Sequence, residues 1–131
     1  MTHLYYYISG FFLLFLLTSC GGKTQAERHR EEAELEGSAL LVQAREALGR
    51  QEYEKARRAI RHLRKDQPLA LDARRQAILL LDSIELASAR DSVRYVEGEE
   101  WERLTMKVQF YERKLQEDRK GYGISQNVSG N

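Results

Sequence analysis

The 131-residue chain contains a single proline, Pro68. Proline fixes φ and removes an amide donor, so it is the strongest local terminator of a helix. Its scarcity leaves long uninterrupted stretches, and these are rich in Ala, Leu, Glu, Arg and Gln, the residues with the best helix propensity. The chain beyond residue 22 is therefore expected to be all-α.

Hydrophobic spacing divides that part into three or four helices. Thr24-Gln25-Ala26-Glu27 fits a capping box, in which hydroxyl and carboxylate satisfy the first free amides, and the spacing predicts a helix from Gln25 to Leu48. Its later half carries an apolar stripe of Ala33, Leu40, Leu41, Ala44, Ala47 and Leu48. Its first half, Glu27 to Glu32, is charged on all sides and reads as a solvated extension. Gly49-Arg50-Gln51 is the expected break, followed by a second helix from Glu52 to Lys65 with Tyr53, Ala56, Ile60 and Leu63 on one face. Asp66-Gln67-Pro68 ends it, because the residue before proline is pushed out of the helical region. Pro68 also suits the first turn of a third helix, expected from Leu69 to at least Asp91.

The third helix carries two stripes. Ala70, Ala73, Ala77, Leu80, Leu81 and Ile84 form one, and Leu79, Leu86 and Val93 the other. A helix apolar on two sides is usually central; the alternative is one wide core face with exposed leucines beyond it. Gly98 either separates a fourth helix or shifts the phase of the third. From Trp101 a heptad runs through Leu104, Val108, Tyr111 and Leu115, extending to Tyr122, and resembles a coiled-coil seam. A helix folded back on the third has the same pattern. Gly121 to Ser125 should end it, with a disordered tail over 121–131.

The N-terminal segment has a different character. Leu4 to Leu17 is a 14-residue apolar run, short of the roughly 20 that a spanning helix needs. It closes on Leu17-Thr18-Ser19-Cys20. An apolar core before a small-residue cleavage site is the pattern of a secretory signal. The four residues resemble the lipobox of a bacterial lipoprotein signal peptide: an aliphatic residue, two small ones, then cysteine. The resemblance implies cleavage of residues 1–19, a covalent lipid on Cys20 and a short tether over 20–24. An uncleaved anchor or a buried helix is the alternative. Cys20 is the only cysteine, so no internal disulfide or CxxC pair can form. Acyl chains on the sulfur and the new amine would exceed the two signals that stable anchoring needs.

Residues 1–19 contain no Lys, Arg, Asp or Glu, so all 21 basic and 20 acidic residues belong to the helical part. This near-balance gives no global attraction to nucleic acid. The main local excess is Arg57, Arg58, Arg61, Arg64 and Lys65, with Arg74 and Arg75 beyond the turn. It reads as a solvated face, or as a contact for anionic lipid headgroups or an acidic partner.

From Ser38 to Pro68 the chain resembles a tetratricopeptide repeat. Tyr53, Ala56, Ile60 and Leu63 supply the aromatic, small, bulky and apolar positions of that family's second helix. Pro68 falls where the repeat closes, and Ala44 and Leu48 fit the first helix, although Gln43 stands where the family has a bulky residue. Ala70 to Leu86 would begin a further repeat, so residues 25–92 are expected to form a repeat-like domain and 93–120 an amphipathic C-terminal helix. With the lipobox, the whole resembles small Bacteroidota-type lipoproteins. The resemblance implies protein–protein binding.

No catalytic constellation emerges. His3, His29 and His62 lack metal-ligand spacing. Asp82 and Glu85 are three apart, without a nearby histidine, nucleophile or glycine-rich loop, and are expected to bond to Arg75 or Arg90 across helix turns. No phosphate loop or zinc motif occurs. The chain is expected to be no enzyme, with no metal and no cofactor beyond the lipid on Cys20. Asp82-Ser83-Ile84 and Asp91-Ser92-Val93 resemble the short O-glycosylation motif of exported Bacteroidota proteins, with Ser92 the better candidate. The expected location is the cell envelope, with the outer membrane facing the periplasm favoured and the cell surface open. Two functions fit: a helical interaction module for an envelope protein, or a self-associating coiled-coil structural lipoprotein.

Overall fold

The computed structural model describes residues 22–121. These form four helices: α1 (Gln25–Gly49), α2 (Tyr53–Asp66), α3 (Leu71–Val93) and α4 (Glu99–Gly121). No strand occurs among the described residues, so the all-α expectation is met. The lipobox residues Leu17, Thr18, Ser19 and Cys20, the seam residue Tyr122 and the tail from 122 onward lie outside the described residues.

α1 begins as its sequence dictates. The Glu27 amide donates to Thr24 Oγ1 at 3.2 Å, and the Thr24 amide donates to the Glu27 carboxylate at 2.8 Å. Its other end differs from expectation. Gly49 remains helical, and the chain reverses at Gln51, whose φ is 61°. Amides of Gln51 and Glu52 then close back onto the Leu48 and Ala47 carbonyls, both at 2.9 Å.

The start of α3 is also displaced. Pro68 lies in a turn closed by the Ala70 amide on the Gln67 carbonyl, and the helix begins only at Leu71. The residue at its N-cap, Ala70, has no side-chain acceptor to offer. Glu34 of α1 replaces it: its carboxylate accepts from the amides of Asp72 at 2.9 Å and Ala73 at 3.1 Å. A carboxylate there satisfies free amides and meets the positive end of the helix dipole. Arg74 acts in the opposite sense at the end of α2, donating to the Arg64 carbonyl at 2.7 Å.

The core lies between α1, α2 and α3, each of which packs against the other two. Leu41, Ile60, Leu63 and Ile84 are its largest fully buried side chains. Around them Ala44, Ala56, Ala73 and Ala77 are also inaccessible, which brings the backbones close. The closest approach is at Gly37. A Cβ built there would lie 2.8 Å from the Ala73 Cβ and 2.9 Å from the Ala70 Cβ. Glycine inside a helix normally costs about 1 kcal/mol relative to alanine; here it is the residue that lets α1 and α3 touch.

α4 packs on α3 alone. α3 is therefore central, with α1 and α2 on one side and α4 on the other, one of the two arrangements its stripes allow. Gly98, with φ of 65°, lies at the reversal that separates α3 from α4. Of the heptad residues, Leu115 is buried and Leu104, Val108 and Tyr111 are half-buried, while Trp101 is exposed. Since only α3 packs on α4, this stripe serves the fold-back within the chain.

Two glycines in the same helix should respond oppositely to substitution. Gly37→Ala should destabilise the protein by about 1–3 kcal/mol, because overpacking outweighs the gain in helix propensity. Gly49→Ala, where nothing lies within 4 Å of the new methyl, should stabilise by roughly 0.5–1 kcal/mol. Urea unfolding of both variants checks the pair; equal signs would contradict the close crossing.

Candidate functional site

The residues expected to pack as a repeat do converge. Ala44, Ala56, Ile60 and Leu63 are buried in the core, and Leu48 and Tyr53 pack half-buried against it. Pro68 is exposed in its turn. Tyr53 does more than pack, because its hydroxyl donates to Asp91 near the end of α3. That hydrogen bond, then burial, pushes the phenol above its usual range.

Asp82 and Glu85 point away from the partners expected for them. Arg75 is exposed, and Arg90 pairs with Glu112 of α4 at 2.6 Å. Glu85 instead accepts from Arg57 of α2 at 2.5 Å and from Lys107 of α4 at 2.7 Å. Asp82, on the next turn of α3, pairs with Lys114. Three helices thus meet on one carboxylate. Burial alone would raise the Glu85 carboxyl, but hydrogen bonds from Arg57 and Lys107 outweigh it and hold the group below its ordinary range. The bond to Glu85 likewise raises Arg57, and the bond to Asp82 raises Lys114. Each group is stabilised in its charged form, which suits a structural tie better than proton transfer at neutral pH.

The remaining polar candidates are engaged locally. Ser83 donates to the Leu79 carbonyl at 2.8 Å and Ser92 to the Ser88 carbonyl at 2.9 Å, both hydroxyls half-buried within α3. His62 lies 3.2 Å from Asp66 and His29 3.6 Å from Glu32, both at the surface. No cluster with metal-ligand character occurs among the described residues.

Two surfaces remain unused. The first is basic. Arg57 and Arg74 leave the cluster for the contacts above, but Arg58, Arg61, Arg64, Lys65 and Arg75 reach the surface. Among the described residues none of these five has a carboxylate within ion-pair distance. The second is apolar. On α4, Met106 and Phe110 are 63% and 49% exposed on one side, and Trp101, at the start of the seam, is 47% exposed on the other. Met106 and Phe110 escaped the sequence reading, which followed the heptad seam. Their i, i+4 spacing on the side away from that seam was the available signal.

No family model, curated protein or solved structure matches the chain.

The Glu85 tie makes a pH-dependent contribution with a definite sign. A carboxyl depressed on folding adds stability above its unfolded value, near 4.5, and that stability is lost as pH falls through the lower folded value. Urea midpoints should therefore drop below about pH 4.5 in the native chain and drop less in Glu85→Gln. At pH 7, Glu85→Ala should cost roughly 1–3 kcal/mol, since it removes the carboxylate shared by Lys107 and a half-buried Arg57, which would keep only Glu54.

Proposed function

We propose that this chain is a lipid-anchored protein of the bacterial cell envelope, a non-catalytic helical module that holds another envelope protein. In this reading Cys20 carries the lipid, and residues 1–19 are its cleaved signal. The anchored face is the periplasmic side of the outer membrane. The lipid is the only attached group proposed. The observation that carries the interaction role is the outer face of α4. Met106 and Phe110, one turn apart, stand open on a helix whose opposite side is committed to α3. Large aromatic and methionine side chains of that kind are enriched at protein interfaces.

The order of packing supports the repeat-like reading. α1 and α2 form a hairpin, α3 packs on both, and α4 packs on α3, as stacked helical hairpins do. In such arrays each unit covers its neighbour, and the last is left with a face to be capped. The α4 face occupies that terminal position. Self-association is the second reading. Leu104, Val108, Tyr111 and Leu115 lie on the side of α4 that packs on the chain's own α3, so a second copy would have to use Met106 and Phe110.

Two experiments test these statements. Cys20→Ala should move the protein from the membrane fraction to the soluble one; retention on the membrane would defeat the anchor reading. In-cell crosslinking of the intact chain should capture one envelope protein, and Phe110→Arg should lose that product without lowering stability in urea by more than about 1 kcal/mol. A crosslink only to a second copy, likewise lost in Phe110→Arg, would favour the structural reading.

A further inference from the structure

Charge is distributed very unevenly along this chain. Residues 55–75 hold eight of its 21 basic residues and two of its 20 acidic ones, a balance of +6 that leaves −5 on the remainder. On the outer face of α2, Arg58, Arg61 and Lys65 recur at i, i+3 and i+7, which is one stripe of a helix. Arg64 borders it. None of them is neutralised by a neighbour among the described residues, in contrast to the paired cations Arg90, Lys107 and Lys114 of α3 and α4.

The fold points the end of this stripe toward the N-terminal tether. α2 runs back along α1, so its last turn lies beside the middle of that helix. The Gln67 side-chain amide donates to Glu36, and Leu63 Cγ lies 4.0 Å from where a Gly37 Cβ would be. Just beyond the last cations, Leu69 and Leu71 are about half exposed. From this same end α1 projects an overhang, residues 25–32, of which every residue is exposed. Eight helical residues reach about 12 Å. Ahead of the Thr24 cap, the tether over 20–23 reaches up to roughly 13 Å when extended. The two lengths are similar, so an anchored chain can lean until this end meets the bilayer.

We infer that the α2–α3 end of the bundle is a membrane-docking surface for anionic lipid headgroups, an inference that rests on the lipid-anchor reading above. Arg58, Arg61, Arg64 and Lys65 would meet the phosphates, and Leu69 and Leu71 would enter the interfacial layer beside them. Long cationic side chains flanking apolar ones suit such an interface. A bilayer is favoured over an acidic protein for two reasons. The anchor keeps the surface permanently within reach, and the leucines stand at the tether end of the stripe. Docked this way, the protein would hold α1 inclined to the bilayer instead of upright on its tether.

The test uses the intact lipidated chain reconstituted in vesicles. Trp101 is the only tryptophan, so Leu69→Trp in a Trp101→Phe background places one indole at this end and none elsewhere. On vesicles of phosphatidylcholine containing brominated phosphatidylglycerol, the introduced indole should be quenched and its emission blue-shifted. On brominated phosphatidylcholine alone it should remain solvent-like. Arg61→Glu with Lys65→Glu should shift the docked-to-free ratio by at least roughly tenfold toward free, given about fivefold per cation near an anionic surface. High salt should act in the same direction, because it screens exposed charges. A solvent-like indole on anionic vesicles overturns the proposal, as does quenching that ignores charge reversal. A response to polyglutamate in place of anionic vesicles would assign the surface to an acidic protein instead. Flotation with neutral vesicles reads the anchor separately: a chain that fails to float there refutes the lipid on Cys20, while the indole's response to anionic vesicles still decides the surface.

Discussion

The close crossing of α1 and α3 at Gly37 is the constraint on which the rest of the molecule depends. With two alanine methyls where a glycine side chain would be, the two helices meet almost backbone to backbone. That proximity puts Glu34 within reach of the free amides of α3, which has no cap of its own. It also sets the space in which Leu41, Ile60, Leu63 and Ile84 close the core. A core built on so many alanines has little freedom to repack, because close-packed interiors feel even a single added methylene.

α4 is held in a different manner. It adds Leu115 to a thin apolar contact, while Lys107, Glu112 and Lys114 reach across to Glu85, Arg90 and Asp82. Polar ties contribute little net stability when exposed but specify one arrangement when partly buried and fully paired. Glu85 is the junction, since Arg57 ties the same carboxylate back to α2. The orientation of α4 is thereby coupled to the three-helix core although α4 packs only on α3. Its outer side, with Met106 and Phe110, is presented in a fixed direction, which the proposed binding surface requires if ordering is not to weaken it.

The two unused surfaces have different chemistry. The exposed Met106 and Phe110 of α4 suit a protein partner, and the α2 cations without a carboxylate partner among the described residues, with Leu69 and Leu71, suit a charged, interfacial one. In the proposed reading the second lies at the tether end and the first on the helix outside the three-helix core. Membrane attachment and partner capture would then use separate parts of a small domain, and neither would need a catalytic group.

Local information determined the helices themselves. The Thr24–Glu27 capping box, the scarcity of proline and the apolar spacing located the helices to within a few residues, because these signals act within one or two turns, but left open whether Gly98 divides α3 from α4. The two stripes of α3 also favoured a central helix, and the spacing of Tyr53, Ala56, Ile60 and Leu63 named core residues of α2. The apolar run ending at Cys20 is likewise legible only as sequence. Tertiary structure decided what periodicity leaves open. It turned the heptad from Leu104 to Leu115 inward onto α3, since a fold-back and a coiled coil share one pattern. It gave Asp82 and Glu85 partners 22 to 32 residues away, where spacing within a helix suggested Arg75 and Arg90. It also showed Gly37 to be a contact, because the absence of a side chain carries meaning only once another helix arrives to fill that space.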